Sequence, residues 1–176
     1  MIEKLWNALK GAWSRTNDYF MWAQPRAPVP VFGTPAEAGA YLYTRAKYTG
    51  DPGRGAVDFY LHPERLQAAI LNPALWSRTS ADCDDFATWA YASLRQMRDV
   101  TPYIMTLMDG SGRFGHHVIC VYKQGGPTGM VYGAIDTSGW QPLTNLSEAY
   151  ICNRWTEMYA SLGFKYTRAT VTEYPF

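Results

Sequence analysis

Asp82-Cys83-Asp84-Asp85-Phe86-Ala87 opens a helix, and the character of that helix sets the architecture around it. Thr79 and Ser80 can cap it, and Asp82, Asp84 and Asp85 suit its positive end. Phe86, Trp89, Ala90, Ser93, Leu94 and Met97 then recur at helical spacing and predict one continuous buried face. Cys83 lies three residues before Phe86 and opens the same face. Its thiol is therefore expected to point inward at the start of the helix.

Working outward, residues 103–108, 117–123 and 130–136 read as strands. Asp109-Gly110-Ser111-Gly112 is a turn, and Gln124-Gly125-Gly126-Pro127-Thr128-Gly129 reads as a hairpin loop. A helix over 146–162 stops at Gly163, and a last strand covers 164–173. On the other side, Thr34-Pro35-Ala36-Glu37 is a capping box that starts a helix running to about Lys47. Asp51-Pro52-Gly53-Arg54-Gly55 breaks it. His62-Pro63 opens a short helix carrying Leu66, Ala69 and Ile70, which Asn72-Pro73 ends. Helices first and an antiparallel sheet afterwards give an α+β fold.

The chain has 176 residues, enough for one domain with its own core. With 47% hydrophobic and 18% charged residues it is globular, and a net charge of +1 gives no reason to expect nucleic acid. Seven Trp and thirteen Tyr predict a bulky core or an aromatic docking surface. Ile2, Leu5, Trp6, Leu9 and Trp13 fall on one side of a helix, and Gln24-Pro25-Arg26-Ala27-Pro28-Val29-Pro30 follows as a stiff strap. Residues 1–33 are thus expected to form an N-terminal arm, able to dock on a protein partner, and 34–176 the compact domain. The start carries no secretory signal and no run long enough to span a bilayer, so a cytoplasmic location is expected. Three cysteines at wide spacing form no disulfide framework.

The chemistry lies in Cys83, His117 and Asp136. If Lys123 faces Met130 across the hairpin, Val121 opposes Tyr132, Ile119 opposes Ala134, and His117 opposes Asp136. Residues so paired share a face of the sheet, so the carboxylate can hold the imidazole. A thiol, a base and the base's orienter then stand in one site. In this register His116 points to the other face, and a one-residue slip would exchange the two histidines. The Cys83 backbone N–H is a natural oxyanion donor, with Trp76 or Gln67 as candidates for a second. A helix N-terminus lowers a thiol's pKa, while the three aspartates oppose that drop. Cys120 and Cys152 read as core, and His62 as a helix-start residue. Cys83, His116, His117 and Asp82 are ligand-type residues, but their spacing builds no metal site, and neither metal nor cofactor is expected. No phosphate-binding glycine loop is present.

Ser80-Ala81-Asp82-Cys83-Asp84-Asp85-Phe86-Ala87, Gly115-His116-His117-Val118-Ile119-Cys120-Val121-Tyr122 and Ala134-Ile135-Asp136-Thr137 together resemble the transglutaminase-like cysteine proteinase superfamily. The resemblance covers about residues 60–140. It implies a papain-like core, a Cys83–His117–Asp136 triad and a bacterial or bacteriophage setting. The chain departs from the family pattern at Ala81, where glycine is usual, and in its doubled histidine. The expected activity is hydrolysis or acyl transfer at an amide bond of a protein or peptide. The alternative is a catalytically silent structural or binding module, such as a virion or assembly component.

Overall fold

The computed structural model describes residues 25–49, 61–78, 81–110, 116–127 and 129–172. The expected N-terminal helix, Thr79, Ser80, the 51–55 breaker and Ser111-Gly112 lie outside the described residues. Among the described residues four α-helices and a five-stranded antiparallel sheet form an α+β fold, as the pattern of periodicities predicted. The elements are α1 (Pro35–Arg45), α2 (Pro63–Leu71), a 3₁₀ turn (Pro73–Arg78), α3 (Cys83–Leu94), β1 (Val100–Asp109), β2 (His116–Gly126), β3 (Gly129–Asp136), β4 (Gly139–Leu143), α4 (Glu148–Met158), a second 3₁₀ turn (Ala160–Leu162) and β5 (Tyr166–Thr172). The sheet order is β4-β3-β2-β1-β5.

The first three described helices begin where a side chain accepts from the orphan amides, whereas Ser147 before α4 makes no side-chain cap bond. Thr34 and Glu37 form the expected reciprocal box at α1. His62 caps α2, its Nδ1 accepting from the Glu64 amide at 3.3 Å. At α3 the cap is Asp82, not Thr79 or Ser80. Asp85 three residues on reciprocates by accepting from the Asp82 amide at 3.2 Å, completing a box built from two aspartates.

The sheet separates two cores. Val118, Cys120, Tyr122 and Ile135 face α1–α3, against Leu42, Leu66, Phe86, Trp89 and Leu94. Ile119, Val121, Ala134 and Leu107 face α4, against Ile151, Cys152 and Trp155. This alternation is the period of two expected of a strand buried on both sides. Gln67 ties the helical layer together, since its Oε1 accepts from Trp89 Nε1 at 3.0 Å and its Nε2 donates to Tyr41 at 3.0 Å. The strap joins the same layer: Ser93 donates to the Pro30 carbonyl at 2.9 Å, and Phe32 packs on Tyr41 and Trp89.

The β2–β3 register differs from the expected one. Gly126 pairs with Gly129, Lys123 with Tyr132 and Val121 with Ala134, so the loop is two residues long, not six. The cause is Gly125 and Gly126, which continue the ladder instead of ending it. The slip is two residues, so every side chain keeps its expected face. β4 had no expected counterpart; it carries Pro142 and lies at the sheet edge, where a missing N–H is tolerated.

Among the described residues no helix is long and apolar enough to cross a membrane. One contact shows how tightly α1 meets the edge strand. A Cβ added at Gly39 would stand 2.6 Å from Trp140 Cβ and 3.0 Å from its backbone nitrogen. Alanine there gains about 1 kcal/mol of helix propensity, but overpacking against backbone costs about 1–3 kcal/mol. Gly39→Ala is expected to be net destabilising, read as a lower urea midpoint at unchanged slope.

Candidate active site

His117, the second residue of β2, and Asp136, the last residue of β3, meet as expected. His117 Nε2 lies 3.0 Å from Asp136 Oδ2. They are not directly opposed. Continuing the observed register puts Asp136 level with Ile119, two residues along from His117. That diagonal is about 7–8 Å between backbones and within reach of a ring. His117 is 8% exposed and Asp136 0%, while His116 is exposed, so the burial that favours an imidazole–carboxylate pair falls on His117.

Asp136 is the most heavily bonded side chain of the site. Its Oδ2 also accepts from Trp155 Nε1 at 2.8 Å and from the Tyr159 hydroxyl at 3.3 Å. Its Oδ1 accepts from the Ser138 amide at 2.8 Å and from the Ser138 hydroxyl. The amide bond is an Asx turn, and it carries the chain into β4 through Gly139, whose φ of 96° suits glycine. Burial alone would raise the Asp136 pKa. The His117 bond and charge, with Ser138 and Trp155, outweigh it and hold the carboxyl below its ordinary value. An ionised carboxylate only accepts hydrogen bonds, so the His117 proton belongs on Nε2 and the Nδ1 lone pair is left as the base. Among the described residues no hydrogen bond occupies Nδ1.

Cys83 is the first residue of α3 and packs on the helical side of the sheet. It is brought to the start of β2, where a hydrogen bond from the Val118 backbone stabilises its sulfur. No direct hydrogen bond joins the thiol to the imidazole in this resting arrangement, a looseness common before substrate binds. Of the two opposed effects on the thiol's pKa, the one that disfavours the thiolate prevails. Burial, then the charges of Asp82 and Asp84, push it well up, and the Val118 bond offsets only part. The Cys83 sulfur and the two carboxylates lie within 4.8 Å of one another, and this is the one grouping of three metal-binding side-chain types among the described residues. An acidic pair beside one sulfur is not by itself a metal site.

Asp85 has a structural task. It is fully buried, and its Oδ1 accepts from the Leu61 amide at 2.7 Å, pinning the segment before α2 to the start of α3. Ala81 explains the departure from glycine. It pairs with Thr49 in an isolated bridge, its methyl is fully buried, and its φ is not positive. Gln67 is committed to the core network, leaving it no evident part as an oxyanion donor. Trp76 packs at the edge of the helical core. Cys120 and Cys152 are buried on opposite faces of the sheet, as expected.

Sequence reasoning missed Ser138, Trp155 and Tyr159. The signal for the last two was present: they stand four apart at the end of α4, and a buried indole or phenol needs an acceptor. No family model, curated protein or solved structure matches the chain.

Asp136 makes stability depend on acid in a defined sense. Its folded pKa lies below its unfolded value of about 3.9, so its contribution is complete above that pH and is lost as pH falls toward the folded value. Urea unfolding below about pH 4 should therefore show stability falling by up to about 1.4 kcal/mol per pH unit. Asp136→Asn should lack that component of the slope; identical acid slopes would contradict the assignment.

Proposed function

We propose that this chain is a thiol-dependent amide-bond enzyme, a peptidase, amidase or acyltransferase of transglutaminase-like type with a papain-like core. The observation that supports it is the buried His117–Asp136 pair at 3.0 Å, whose ring belongs to the residue beside the backbone that Cys83 engages. Cys83 comes from α3, His117 from β2 and Asp136 from β3, and this reading brings the three together at one end of the sheet.

In this scheme the Cys83 sulfur attacks a substrate carbonyl carbon while His117 Nδ1 takes the thiol proton. Because burial and acids disfavour a free thiolate, the transfer accompanies attack, as it does for a serine nucleophile. Charge on the carbonyl oxygen is met by the Cys83 amide, the first-turn N–H that the Asp82 cap leaves unclaimed. The C–N bond breaks as His117 returns the proton to the leaving amine. Water or a second amine then attacks the thioester, His117 again acting as base, and the thiol is released. The substrate class is a protein or peptide, and the setting a bacterial cytoplasm or a bacteriophage.

One feature favours a second reading, a silent binding or virion module: burial and three neighbouring acids push the Cys83 thiol's pKa up. Intact-mass analysis with a panel of electrophilic peptides separates the two. The enzyme should gain one acyl group on Cys83, none after Cys83→Ala, and gain it about 100-fold more slowly after His117→Ala. Labelling that ignores His117, or no acylation by any peptide, would leave the binding module.

A further inference from the structure

We propose that Trp155 and Tyr159 are positioning residues that clamp the Asp136 carboxylate and, through it, the His117 ring. Trp155 lies in the last turn of α4 and Tyr159 is the residue that caps its end, four positions on, and both side chains reach the same carboxylate. Both donate to the oxygen that also receives His117, at 2.8 and 3.3 Å. Trp155 is fully buried and its indole nitrogen has one partner, Asp136. Tyr159 acts a second way. Its ring meets the imidazole edge-on, with centroids 5.1 Å apart at 67°, and limits rotation of the ring.

The clamp works because Oδ2 is crowded. Three donors fix the direction of its lone pairs, so the imidazole bonds through Nε2 in one orientation. Without the indole the carboxylate is a stronger base and freer to turn. The titratable groups facing the pair are Tyr159, at the end of α4, and Tyr166 from β5, with Cys83 from α3 and Asp109 from β1 near Tyr166. Tyr159 is pushed up to about 12 by burial and the Asp136 charge, and burial likewise raises Tyr166, so both stay neutral around physiological pH.

The inference rests on the thiol–imidazole reading for its kinetic arm only. Carbon-13 NMR titration of Asp136 in the full chain tests the clamp without any activity. Trp155→Phe, which keeps a ring and removes the N–H, should raise the Asp136 pKa by about one unit. Tyr159→Phe, which removes only an oxygen, should raise it less. Acylation of Cys83 should slow about ten-fold or more in Trp155→Phe, in the rate at saturation and not in the half-saturating concentration. Folded Trp155→Phe with an unmoved Asp136 titration overturns the clamp, as does an unchanged rate at saturation. If Trp155→Phe does not fold, Tyr159→Phe decides, and an unmoved titration there overturns it. Should the wild-type chain acylate with no peptide, the enzyme reading fails while the titration still judges the clamp.

Discussion

The buried carboxylate of Asp136 is the interaction on which the rest depends. An ion with no solvent exposure costs several kcal/mol to desolvate unless its lone pairs are taken up. Here both oxygens are fully employed. Oδ1 shapes the turn from β3 to β4 through Ser138; Oδ2 gathers His117 from β2, Trp155 from α4 and Tyr159 from the cap at its end. One anion thus links the central strands, the edge strand and the helix on the far face. Stability and site geometry are not separable at this residue, since any lost donor leaves charge uncompensated and the imidazole less constrained.

What was legible in the sequence follows from the range of each signal. Helix starts were legible at Thr34 and His62 because caps are local. At α3 the local rule pointed to Thr79 and Ser80, but Asp82 prevails because Asp85 can answer it three residues on. The meeting of His117 and Asp136 survived a wrong register because the error was even, and parity decides which face a side chain takes. β4 was not legible, since five residues including Pro142 carry too little periodicity. The donors on α4 were hidden for another reason. Hydrophobic periodicity reports that Trp155 is inside and says nothing of where its N–H points.

The acids around Cys83 present a conflict between folding and reactivity. Asp82 and Asp85 close the cap of α3, and Asp85 also holds Leu61, so the start of the helix is built from carboxylates. Those charges, with burial, oppose ionisation of the sulfur that the helix end would otherwise favour. The Val118 backbone compensates in part. In the proposed mechanism the remainder falls to His117, which takes the proton during attack. On that proposal a fixed ring matters more here than beside a thiol that is already ionised.

Position along the strands completes the argument. Cys83 packs with the helical core, whereas His117 and Asp136 sit on the α4 side with Trp155 and Tyr159. In mid-sheet, two groups on opposite faces are kept apart by the backbone ladder. At the end of the sheet that barrier stops, and side chains from the two faces can converge. This accounts for His117 at the second position of β2 and Asp136 at the last of β3. Moving the pair two residues inward would preserve every parity and still bury both groups. It would also set the sheet between imidazole and sulfur, and the proposed chemistry would be lost while the fold kept its packing.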